Sequence, residues 1–201
     1  MPHGLRGFIE SASLVLVEEL ERRTMAILKI AQMGNPVLRR PADRVPVKSI
    51  TSPVLQHFVD DMIATMREYS GVGLAAPQVH ESLQLVVIES IENPRYPQAP
   101  AIPLTVLINP AVEPLTDEMD EDWEGCLSIP EIRGKVPRYR EIRVRAHDRE
   151  GKPIDFSAKN FFARVIQHES DHLQGILFLD RMQKLGTLTY LAEYHRYWAK
   201  E

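Results

Sequence analysis

The chain has 201 residues, 44% of them hydrophobic and 26% charged, with a formal net charge of −4 and a sequence pI of about 6.0. That is enough chain to bury a core within one ordinary domain, and it offers no basic field for binding a nucleic-acid backbone. No apolar run reaches the roughly 18 residues needed to cross a bilayer, so a small or peptidic substrate is the natural expectation.

Cys126 is the only cysteine, which excludes an intramolecular disulfide and suits a reducing, cytoplasmic setting. Residues 1–24 come first. Their apolar stretch, Leu14 to Val17, is short and runs straight into Glu18, Glu19 and Glu21, unlike a secretory or transit peptide. Met25-Ala26-Ile27-Leu28-Lys29-Ile30 reads like an ordinary start, so we expect a leader or extension over 1–24 and a single domain over 25–201. Ser52 and Pro53, followed by Val54, Leu55, Phe58, Val59, Met62, Ile63 and Met66, predict an N-capped amphipathic helix that ends before Gly71.

Beyond a Gly71 to Gln78 loop, Leu85 to Ile88 reads as a buried strand, and Leu104 to Ile108 as another, stopped by Asn109-Pro110. Between them, Pro94, Pro97, Pro100 and Pro103 make Glu92 to Pro103 a loop. The acidic run Asp117 to Glu124 reads as an exposed partner of the basic stretch that follows it. A third β region is expected over Lys135 to Ala146, then a turn at Asp148-Arg149-Glu150-Gly151 and a strand over Ile154 to Phe156. Helical spacing of Phe161, Phe162, Val165, His168, Glu169, His172 and Leu173 predicts a helix from Ala158 to about Gln174, and a last amphipathic helix is expected over Leu188 to Trp198.

The chemistry concentrates in His168-Glu169-Ser170-Asp171-His172. Residues four apart on a helix point the same way, so the two imidazoles can chelate one cation. Glu169 sits about 100° further round, near enough to address a water on that cation without ligating it. Either histidine alone is more simply a hydrogen-bonded core residue. Together on an apolar face, beside an acid that is costly to bury unpaired, they call for a cation. Asp171 faces away from it and reads as structural, paired with an arginine of the basic stretch.

A catalytic ion needs a third protein ligand. The spacing H-E-x-x-H-x-x-G-x-x-H matches Gly175 but puts Phe178, which cannot coordinate, in the ligand position. A downstream glutamate would be Glu193, without the asparagine that such helices usually pair with it. Cys126 is the remaining route, although a lone cysteine is most often a small buried hydrophobe. This helix alone therefore also fits a peptidase cutting internal bonds, or a non-catalytic metal-binding module.

Three ordered segments, Gly71-Val72-Gly73-Leu74-Ala75-Ala76-Pro77-Gln78, Glu124-Gly125-Cys126-Leu127-Ser128 and Gln167-His168-Glu169-Ser170-Asp171-His172, are similar to the signature motifs of the peptide deformylases. The resemblance spans about Met25 to Asp180, and Ser128-Ile129-Pro130-Glu131 is similar to the bacterial-like branch. It implies an α+β fold with small mixed β-sheets around a central metal-binding helix, an N-terminal amphipathic helix and a C-terminal helix. It also implies removal of the N-formyl group from the initiator methionine of nascent polypeptides.

By position, the resemblance makes Cys126, His168 and His172 the metal ligands and Glu169 the general base and later acid. Gln78 and the backbone N–H of Leu127 become oxyanion donors, and Gly73 a backbone contact to substrate. Arg133 falls where the bacterial enzymes bind the substrate main chain. Val165 and Phe161 lie one and two turns before the ligand histidines on the same face, and we expect them to line the methionine pocket. The implied ion is Fe²⁺, while Zn²⁺ and Ni²⁺ accept the same ligand set. Some relatives also touch the ribosome through the C-terminal helix; here Lys184, Arg196 and Lys200 leave it only weakly basic, which argues against docking.

Overall fold

The computed structural model describes residues 25–91 and 100–199; the leader expected over 1–24 and the proline-bearing segment 92–99 lie outside them. Near the start of the described chain, the backbone N–H groups of Ala26 and Leu28 donate to Asp61 Oδ1 (2.7 Å) and Thr65 Oγ1 (2.8 Å) of the first helix. That helix, α1 (Pro53–Glu68), forms as its sequence predicts, with the Ser52 hydroxyl accepting from the Leu55 N–H.

Five antiparallel strands follow in the spatial order β1 (Gly73–Ala75), β2 (Leu85–Ser90), β3 (Ile102–Pro114), β6 (Glu141–His147) and β7 (Pro153–Lys159). A second sheet joins β4 (Met119–Cys126), β5 (Ile129–Tyr139) and β8 (Thr189–Tyr190). Among the described residues every ladder is antiparallel, so the mixed pairing narrows to one isolated parallel bridge between Asp43 and Leu83.

The central helix α2 (Asn160–His172) and α1 cover opposite faces of the larger sheet, which is why Leu85 to Ile88 is apolar without alternation. Leu85 and Val87 pack with Leu55, Val59, Met62 and Met66, whereas Val86 and Ile88 pack with Val165 and Ile166. Short α3 (Phe178–Arg181) and α4 (Leu191–Tyr197) finish the chain. This is the α+β architecture expected from the sequence, and no helix of the described residues is long and apolar enough to cross a membrane.

Several boundaries differ for identifiable reasons. Asn109-Pro110 does not stop β3: Asn109 takes φ 54°, its amide bonds both ways to the Val45 backbone, and the register shifts between Ile108 and Ala111. A proline is tolerated at such a bulge because no ladder bond is required of it. Pro103 belongs to β3 rather than to the preceding loop. The single β region over Lys135 to Ala146 is two strands in two sheets, divided at Arg140. The acidic run is the strand β4, exposed at its start and buried at Glu124 and Cys126.

Helix α2 ends where Gly175, at φ +73°, turns the chain, with Gly175 N–H donating to His172 O and Ile176 N–H to Asp171 O. A Cβ at Gly175 would lie 2.6 Å from the carbonyl oxygen of Arg39. Its match to a peptidase spacing thus has a local cause in backbone packing.

Candidate functional site

Strand β4 and helix α2 bring the central residues together. A ligand atom from each of Cys126, His168 and His172 lies within 4.8 Å of the others, and all three residues are buried. Cys126 Sγ is 3.3 Å from His172 Nε2, and the two imidazole rings are 5.1 Å apart at 76°. No other group of three histidine, cysteine or acidic residues clusters this way among the described residues.

The donor set is tuned from behind. His168 Nδ1 donates to Glu124 Oε2 at 2.9 Å, so Nε2 is the nitrogen that faces the cluster and would give up its proton to a cation there. Glu124 is 4% exposed and is anchored by Arg138 at 2.9 and 3.0 Å and by Arg164 at 2.9 Å. Burial would raise this carboxyl, but the Arg138 charge and the His168 hydrogen bond hold it well below the usual range. Burial likewise pushes the Cys126 thiol up, and the charges and hydrogen bonds of His172 and His168 outweigh it, bringing the group well below an ordinary thiol. A thiolate and two imidazoles at this separation are the ligands a borderline divalent cation accepts, so the residues fit one.

Glu169 stands beside the cluster with Oε2 buried and without a hydrogen-bond partner. Burial pushes its carboxyl up to about 7, and the negative charges of Cys126 and Glu124 act the same way against the two imidazoles. Its other oxygen presses on Gly73, where a Cβ would lie 2.5 Å from Glu169 Oε1. Gly73 therefore has no side chain because Glu169 occupies that space. The Gln78 amide is oriented by Ala75 N–H, which donates to Oε1 at 2.8 Å; its NH₂ group points to Cys126 Sγ (3.4 Å) and Ser128 Oγ (3.3 Å).

A cavity of about 40 Å³ opens over these groups, lined by Gly71 to Gly73, Gln78, Trp123 to Leu127, Phe161, Arg164, Val165, His168 and Glu169. On the order of 10–15 Å³ of such space holds one water, so this is room for a few waters or a small head group. β1 and β4, each an edge strand of its sheet, flank it and present backbone groups that no strand of the described residues pairs on that side. A larger cavity, about 560 Å³ between α1 and the Val45–Ser49 segment, holds none of these residues.

Phe161, Val165, Gln78, Gly73 and Leu127 thus all line the cleft. Arg133 does not: it is 4% exposed and packed beneath Gly125, where a Cβ would lie 1.6 Å from Arg133 Nη1. Phe178, in the ligand position of the peptidase spacing, stacks on the His168 ring at 6.2 Å and 22°. Asp171 pairs with Arg138 (2.6 Å) and Arg181 (2.6 Å), the structural role expected of it.

Sequence reasoning missed Glu124, Arg164 and Trp123. A signal for Glu124 existed: residues two apart on a strand share a face, so it must lie beside Cys126. Nothing in local pattern marks Arg164, whose guanidinium also donates to the carbonyls of Val136 and Asp120 at 2.7 Å each.

Comparison with known proteins gives the chain's family. The family model described as polypeptide deformylase matches residues 27–187. A peptide deformylase of Bordetella pertussis is 50% identical over 161 residues, 80% of this chain and 90% of that protein, and one of Ralstonia nicotianae is 50% identical over 157 residues, 78% and 88%. Among solved structures, the Met-Ala-Ser-bound class I type b peptide deformylase of Acinetobacter baumannii has a TM-score of 0.77 at 39% identity, covering 79% of this chain and all 100% of that one. The actinonin complex of a Synechococcus elongatus peptide deformylase gives 0.69 at 38% identity, covering 78% and 79%.

Proposed function

The chain belongs to the polypeptide deformylase family, enzymes that remove the N-formyl group from nascent polypeptides, and we propose that it does so with Cys126, His168 and His172 holding one divalent ion and Glu169 moving the proton. The observation carrying this reading is the buried Cys126, His168 and His172 cluster beside a carboxylate with an unpartnered oxygen.

When bound, the ion supplies the charge that acidifies a water and polarises the formyl carbonyl. The protein's own groups do the rest. Glu169, raised to about 7, is matched to accept a proton from the attacking water near neutral pH and to return it to the leaving amine. The amide of Gln78, oriented by Ala75, and the N–H of Leu127 donate to the oxygen on which negative charge develops. The edge strands β1 and β4 hold the peptide backbone in extended form, with Gly73 as a backbone contact to it, and Phe161 and Val165 form the wall against the methionine side chain.

Arg133, buried beneath Gly125, supports the rim of this cleft from below. We read 25–201 as one catalytic domain and 1–24 as a leader or extension. Fe²⁺ is the ion the family implies, with Zn²⁺ and Ni²⁺ as substitutes, and a cytoplasmic location fits a protein whose one cysteine must stay reduced. Docking on the ribosome through α4 finds little support in its few cations.

Two measurements test the assignment together: anaerobic metal analysis, and formate release from formyl-Met-Ala, on the parent chain, Cys126→Ala and Glu169→Ala. Loss of the ion in the first variant, and of turnover with the ion retained in the second, is expected. Metal content unchanged in Cys126→Ala would instead favour the peptidase-like ligand set.

A further inference from the structure

Trp123 is a wall of the cleft that none of the three motifs contains. It stands on β4 three residues before Cys126, and its indole packs against the end of the chain. Its ring centroid lies 5.1 Å from that of Tyr194 at 65° and 5.6 Å from that of Trp198 at 49°. Lys135, opposite it in the β4–β5 ladder, holds its ammonium 5.5 Å from the same ring. The tail bearing these aromatics is itself tied down: β8 pairs Ile132 with Tyr190, and Lys135 N–H donates to Thr187 Oγ1 at 3.2 Å.

An indole at a strand edge with no partners would turn about both of its side-chain torsions. Edge-on packing against two rings and a cation over its face hold it in one rotamer. Three residues of extended strand span roughly 10 Å, the length of about three residues of a peptide laid alongside. With the reacting carbon at the Cys126 end, Trp123 meets the substrate beyond its methionine.

We propose that α4 is a positioning element for Trp123, and that the Trp123 ring so held selects an apolar or aromatic side chain at the second or third residue of the substrate. The selection rests on the deformylase reading of the cleft. The packing of α4 on Trp123 does not.

The test uses the full metal-loaded chain and three peptides, formyl-Met-Ala-Ala, formyl-Met-Phe-Ala and formyl-Met-Ala-Phe. The parent is expected to prefer a phenylalanine peptide roughly five- to tenfold in kcat/KM, expressed through KM. Trp123→Ala should abolish the preference, and the pair Tyr194→Ala and Trp198→Ala should reduce it at least twofold without changing kcat on formyl-Met-Ala-Ala. The preference should survive in Trp198→Phe. A double variant with the full preference would overturn the proposal.

The chain has two tryptophans, so in Trp198→Phe the emission reports Trp123 alone. Adding Tyr194→Ala should shift that emission to the red and raise its quenching by acrylamide, and an unchanged spectrum would refute the positioning role. Absence of formate release by the parent from every peptide would sink the deformylase reading and the selection with it, while the emission still decides whether α4 holds Trp123.

Discussion

Glu124→Gln exchanges a buried carboxylate for an amide of the same shape where β4 meets α2. The carboxylate accepts hydrogen bonds from Arg138 at 2.9 and 3.0 Å, from Arg164 at 2.9 Å and from His168 Nδ1 at 2.9 Å. A glutamine keeps one oxygen to accept with, while its NH₂ faces donors, so bonds on that side are lost and the buried cations lose their counter-charge. Arg138 retains Asp171, and Arg164 retains the carbonyls of Val136 and Asp120, which softens the loss.

Breaking a buried ion pair typically costs about 3–5 kcal/mol, and these remaining partners favour the lower end. At about 2–4 °C per kcal/mol for a chain of this size, the melting temperature should fall by about 6–12 °C. Loss of the acceptor that orients His168 should also weaken the ion about 10- to 100-fold, as removing such supporting groups does elsewhere. Thermal unfolding followed by circular dichroism reads the first quantity and chelator competition the second. A variant that melts lower yet holds its ion as tightly as the parent would refute the orienting role.

In Gly73→Ala, the new methyl must displace Glu169 Oε1 from a 2.5 Å approach, so kcat should fall on the order of 100-fold while metal content stays constant. Retention of full turnover would mean that Glu169 is mobile enough to serve from elsewhere. Phe178→Ala removes a buried ring stacked on His168 and should destabilise the fold by about 3–5 kcal/mol, measured by urea unfolding. A loss under about 1 kcal/mol would show that the site collapses around the cavity.

Asp180 offers a pH test away from the site. Burial would raise its carboxyl, but the Arg39 guanidinium and the Leu177 N–H lower it on balance. The stability it contributes is therefore present above the ordinary carboxylate range and lost as pH falls through its depressed value. Asp180→Asn should flatten the acid limb of a melting-temperature profile, and an unaltered slope would contradict the assignment.

Much of the site was legible because its chemistry is local. His168, Glu169 and His172 lie on one helix, so spacing alone groups them, and Ser52-Pro53 marks the start of α1 in the same direct way. Cys126 is separated from them by three strands, β5, β6 and β7, and only the resemblance of three ordered motifs linked it to the helix. Local pattern erred where a tertiary partner overrides it. Asn109-Pro110 reads as a stop until the Val45 backbone takes up the asparagine amide. The acidic run reads as exposed until Arg138, Arg164 and His168 close round its last carboxylate. Arg133 kept its motif position and lost its expected surface, because Gly125 leaves a cradle for its guanidinium.

By itself, then, the sequence determined the first, central and last helices (but not the short α3), the buried central strand, the pair of imidazoles with their acid, and the family. Each of these is written in residues near one another or in motifs of fixed order. Tertiary structure alone decided which acid orients His168, why Gly73 must lack a side chain, and that Trp123 is a cleft wall packed against the C-terminal helix. Those depend on where separate strands and helices come to rest, and a carboxylate or an indole carries no mark of its eventual neighbours.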